Sequence, residues 1–123
     1  TARRLSEQRP DHLPPLNICL QVNVDDEDSK AGVTPAALPD LAAACVELPN
    51  LRIRGLMCLP AIRTGLDQQR MPFAALRRLA EQLRTDGIDT DTLSMGMSAD
   101  YPAAILEGAT IVRIGTALFG ARN

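Results

Sequence analysis

Residues 93–122 read LSMGMSADYPAAILEGATIVRIGTALFGAR. Two strand-like runs, Thr92–Gly96 and Thr110–Ile114, flank a short helical stretch, Ala99–Glu107, which Gly108 ends. The first run passes through Gly96 and Met97 to Ser98, a residue type suited to capping the helix that follows. A helix start presents free backbone N–H groups and a partial positive charge, which together suit a phosphate dianion. The second run ends Arg113-Ile114-Gly115-Thr116. There Gly115 lets a ligand approach the backbone closely, and Thr116 adds a hydroxyl donor. Side chains alternate along a strand, so if Val112 and Ile114 pack on helices, Arg113 points to the other face. An inward arginine is costly unless it meets an anion, an acceptor or water. Singly, Ser98 reads more often as a plain helix cap and Gly115 as a plain turn glycine. In adjacent strand-ends they form a candidate phosphate site, as do the loops after the last two strands of (β/α)8 barrels.

Upstream, the same alternation repeats. Leu16–Val24 follows Pro14-Pro15 and alternates with period two, with leucine, isoleucine and valine on one face and Asn17, Cys19, Gln21 and Asn23 on the other. The apolar face suits a helix layer and the polar face suits the lumen of a barrel, although a half-exposed edge strand gives the same pattern. Thr34-Pro35 offers a cap and first-turn proline for a helix through Leu38, Leu41, Ala42 and Cys45; Pro39 either kinks that helix or marks its true first turn. Arg52–Leu59 reads as a second strand. A helix over Asp67–Arg84 follows, with Phe73, Leu76, Leu79, Ala80 and Leu83 as its buried stripe and Gly87 as its stop. Strand and helix thus alternate four times with short connections, which predicts an α/β fold with a parallel sheet. The opening residues read as the middle of a helix, and residue 1 is expected not to be the natural start.

Bulk composition narrows the function. The 123 residues are 46% hydrophobic and carry a formal net charge of −2, which suits one globular domain. Twelve of the 13 basic residues are scattered arginines, with Lys30 the single lysine, so no basic stripe marks a nucleic-acid partner. No apolar run reaches the roughly 18–20 residues of a membrane span. Cys19, Cys45 and Cys58 are odd in number and set in apolar runs, and read as reduced thiols in the cytoplasm. With His12 the only histidine and no CxxC, no metal site is expected.

The closing stretch resembles the signature of the pyridoxal-phosphate homeostasis proteins, relatives of the alanine-racemase N-terminal barrel. The resemblance continues upstream through LNICLQVNVDDEDSKAGV and LRIRGLMCLPA, and so covers nearly the whole chain. It implies pyridoxal 5'-phosphate as the cofactor, with Ser98, Gly115 and Thr116 on its phosphate and backbone N–H groups near Met97 assisting. It also implies Arg113 near the pyridine nitrogen and Met57 near the ring. Free phosphate or sulfate would occupy the same grip. The family is understood to carry and buffer the cofactor rather than to act as a general amino-acid enzyme, and a cationic neighbour at the ring nitrogen suits that role.

The family barrel has eight strands and a lysine in its N-terminal half that holds the cofactor covalently. This chain resembles strands five to eight, so residues 1–123 are expected to be the C-terminal half of a (β/α)8 barrel, since a whole one needs ~250 residues. Such a half exposes strand edges and is expected to associate with its missing N-terminal half or with itself. Lys30, in the loop after the first strand, either joins the cofactor mouth or is a solvated turn lysine. Ala99 stands where the family carries a second acidic residue. Pro102 disfavours helical geometry at Tyr101, which would delay the helix start. Two other readings stand beside this one: part of an alanine-racemase-like enzyme, for which Tyr101 is a poor acid/base, and an interaction-only half barrel that binds no cofactor.

Overall fold

The computed structural model describes residues 2–25 and 32–113. Helix α1 (Ala2–Gln8) precedes β1 (Leu16–Gln21), and then α2 (Leu38–Val46), β2 (Leu51–Met57), α3 (Leu66–Thr85), β3 (Thr92–Met97), α4 (Tyr101–Leu106) and β4 (Ile111–Arg113) follow in strict alternation. The four strands form one sheet in the order β1-β2-β3-β4, and every neighbouring pair is parallel. Each crossover passes through a helix. When successive crossovers share one hand and each strand adds to the same edge, the helices gather on one face.

Burial follows that geometry. Leu20, Val22, Ile53, Leu56, Leu93 and Met95 form a single core with Leu38, Ala42, Cys45, Phe73, Leu76, Ala80, Leu83, Ala103 and Ala104 from the helices. The expected stripe of α3 is therefore the buried one, with Leu79 packed at its margin. On the opposite sheet face Asn17, Arg52, Ile111 and Arg113 are exposed.

Two prolines set where helices start. A helix capped by Thr34 would require Pro39 to donate an N–H it lacks, so α2 begins at Leu38 with Pro39 in its first turn. The Thr34 hydroxyl instead accepts the Ala37 N–H at 3.2 Å in the turn before it. Likewise a helix capped by Ser98 would need an N–H from Pro102 to the Ser98 carbonyl. Helix α4 starts instead at Tyr101, with Asp100 at the cap position, so Ser98 is not the helix cap. At β4, the Thr110 N–H donates to the Leu93 carbonyl while the Leu93 N–H donates to the Thr110 hydroxyl, both at 2.9 Å.

Helices α3 and α4 are joined by charge. Glu107, with its side chain 6% exposed, accepts from Arg70 at 2.7 Å and from Arg77 at 3.1 Å. The Arg70 hydrogen bond, helped by Arg77, holds the Glu107 carboxyl below the usual carboxylate range although burial pulls the other way.

Candidate functional site

The carboxyl ends of parallel strands carry the loops from which α/β proteins build their sites. Three such ends converge here on Cys58. This thiol is buried and its pKa is pushed up to about 12, by burial first and then by the carboxylates of Asp25 and Asp100. Asp25 lies just past β1, Cys58 directly after β2 and Asp100 just past β3.

The loop after β2 is anchored to the end of β1. Asp25 accepts the Ala61 N–H at 2.6 Å and a terminal nitrogen of Arg63 at 2.7 Å, with its side chain only 3% exposed. The turn after β3 is closed by Asp100, whose carboxylate accepts the Met97 N–H at 2.8 Å. Gly96 precedes that turn at φ 101°, a conformation open to glycine, and a Cβ there would lie 2.6 Å from the Ala104 Cβ.

Ser98 is half-buried in this turn, and with Cys58, Pro60, Met97, Ala99 and Asp100 it lines a cavity of about 220 Å³. Met97 is exposed at the end of β3, and its N–H is already engaged by Asp100. The expected help from the Met97 N–H itself therefore goes to the turn. A second, shallow depression lies next to the first and shares Cys58 and Gly96 with it. Met57, Ser94 and Arg113 line it together. Val112 packs on the helix-side core and Arg113 is exposed on the other face, as strand parity requires. The structure thus sets Met57 and Arg113 around one depression and Ser98 and Met97 around its neighbour. Lys30, Gly115 and Thr116 lie outside the described residues.

Chemically, this edge offers an exposed guanidinium, the hydroxyls of Ser94 and Ser98, and the thioether of Met57, a set suited to a flat ring bearing an anionic group. Among the described residues no group of three metal-ligating side chains occurs, and no helix is long and apolar enough to cross a membrane. Ser94, Asp100 and the Asp25–Arg63 pair were not singled out from the sequence. Pro102 was the available clue to Asp100, because it moves the cap position two residues past Ser98.

Comparison with known proteins gives the chain a family and structural neighbours. The family model described as alanine racemase, N-terminal domain, matches residues 1–123. The pyridoxal phosphate homeostasis protein of Pseudomonas aeruginosa is 60% identical over 122 residues, which are 99% of this chain and 52% of that protein. Among solved structures, PipY of Synechococcus elongatus without PLP superposes at a TM-score of 0.86 with 36% identity, over 97% of this chain and 56% of that one. PipY with PLP bound superposes at 0.76 with 36% identity, over 87% of this chain and 50% of that one. The chain spans about half the length of the curated relatives it matches.

Proposed function

Since the chain belongs to the alanine racemase N-terminal-domain family, we propose that it holds pyridoxal 5'-phosphate by the phosphate end, as part of a cofactor-homeostasis protein without strong catalysis. The observation that carries this reading is the grouping of Met57, Ser94 and Arg113 around one depression beside the Ser98 turn. Relatives called pyridoxal phosphate homeostasis proteins and a similar chain with PLP bound support it.

On this reading Ser98, Gly115 and Thr116 hold the phosphate, Met57 borders the ring, and Lys30 stands at the mouth. Bound pyridoxal phosphate supplies an electron sink whose strength depends on protonation of its ring nitrogen. A guanidinium at Arg113 disfavours that protonation, which suits storage better than turnover. The four strands are then the fifth to eighth of a (β/α)8 barrel, and residues 1–123 its C-terminal half. The open sheet face and edges are covered by the N-terminal half or by a second copy. A cytoplasmic setting accords with three free cysteines.

Calorimetric titration tests the proposal. Pyridoxal 5'-phosphate and inorganic phosphate should compete, and Ser98→Ala should weaken both by about tenfold, the share of one hydrogen bond to a charged group at about 1.5 kcal/mol. Equal affinities in the variant, with no competition between the two ligands, would contradict it.

A further inference from the structure

We propose that Asp100 is a positioning residue: its carboxylate fixes the turn that aims Ser98 at the phosphate. This rests on the phosphate reading above and adds the group on which that grip depends.

The turn is closed from both sides. The Asp100 carboxylate accepts the Met97 N–H at 2.8 Å, and the Asp100 N–H donates to the Met97 carbonyl at 3.1 Å. Ser98 and Ala99 are the two residues between these bonds, so their backbone is held at each end. An aspartate at a helix cap ordinarily spends its carboxylate on the N–H of the second or third helical residue. Here the second is Pro102, which has no N–H, and Asp100 makes no such bond. Its carboxylate turns back to Met97 instead.

Asp100 is 9% exposed, so water competes weakly for that bond. Below the turn, α4 is held by contacts that do not involve the carboxylate. Its Ala104 packs on Gly96, and Glu107 at its end pairs with Arg70 and Arg77. Loss of the carboxylate should therefore loosen Ser98 while leaving α4 in place. A carboxylate beside an anion site would by charge alone repel the ligand. Its use as a buried acceptor explains why an acidic group stands there.

The test measures binding of inorganic phosphate and of pyridoxal 5'-phosphate to the intact protein, with thermal melting alongside. Asp100→Ala should weaken both ligands by up to about tenfold, the loss expected for Ser98→Ala, since a displacement near ~1 Å is enough to forfeit that hydrogen bond. Asp100→Asn keeps an acceptor oxygen and should bind as tightly as the unmodified protein or more tightly. Asp100→Glu keeps the charge but misplaces the acceptor, and should bind weakly; it serves as the test if the alanine variant does not fold. Because Asp100 acts through Ser98, the Asp100→Ala/Ser98→Ala double variant should bind no more weakly than Ser98→Ala alone. Normal binding by Asp100→Ala or Asp100→Glu, or additive losses in the double variant, would overturn the proposal. Unchanged binding by Ser98→Ala alone would instead overturn the phosphate reading, and the positioning role with it.

Discussion

Gly96 is where backbone geometry and packing make the same demand. Its φ of 101° is strained for any L side chain, and the Ala104 Cβ lies 2.6 Å from where its own Cβ would be, with the Val112 Cγ1 at 3.2 Å. Gly96→Ala should therefore destabilise the fold by about 2–4 kcal/mol, read from the shift of a urea unfolding midpoint, by adding strain to overpacking. A loss under ~0.5 kcal/mol, the scale of an ordinary surface substitution, would show that the α4–β3 contact is looser than described. At this scale the sequence was only partly legible. Ser98 and Asp100 are both cap-type residues two positions apart, and composition favours neither. The choice falls to Pro102, whose missing N–H excludes the earlier start. Gly55 gave no local signal either. A Cβ there would meet the Thr92 carbonyl oxygen at 1.7 Å, a close approach that exists only once β2 and β3 pair.

At the scale of elements, α3 and α4 share a charge network more buried on one side than the other. Glu107 is nearly enclosed, whereas Arg70 and Arg77 keep about two-fifths of their side chains in solvent, at 42% and 40%. Removing the carboxylate leaves arginines that water can reach, so the loss is smaller than for a fully buried pair. Glu107→Gln should cost about 1–2 kcal/mol by chemical denaturation, against ~3–5 kcal/mol for breaking an enclosed pair. The pH dependence has a defined sign. The folded carboxyl titrates below its unfolded value, so the folded state binds fewer protons. The network's contribution is complete above the ordinary glutamate range and is lost as pH falls through the lowered folded value. Stability of the unmodified protein should thus drop more steeply in acid than that of Glu107→Gln, and parallel curves would remove the network from the account. Element existence and order were readable throughout, because period-two and helical stripes dominate these segments. At Pro39 the first-turn alternative is the one observed, and at Pro102 the helix start moves to Tyr101, whereas Pro72 sits inside α3. At the other end, β1 stops at Gln21, three residues before the expected end, and Val22 continues as an isolated bridge to Val33.

At the scale of the molecule, the four parallel strands of the described residues run in sequential order and leave β1 and β4 at the edges of that sheet. The face away from the helices carries Asn17, Arg52, Ile111 and Arg113 in the open. The alternation in β1 had pointed to such a two-sided sheet, with Leu20 and Val22 buried on the helix side. What covers the other side lies beyond the reach of local patterns. Phosphorus NMR of pyridoxal 5'-phosphate titrated with the protein tests the central claim most directly, since it observes the end of the cofactor that the Ser98 turn is held to grip. The phosphorus line should shift and broaden on addition of the protein and return to its free position when inorganic phosphate is added in excess. A line that stays at its free position throughout the titration would contradict the account.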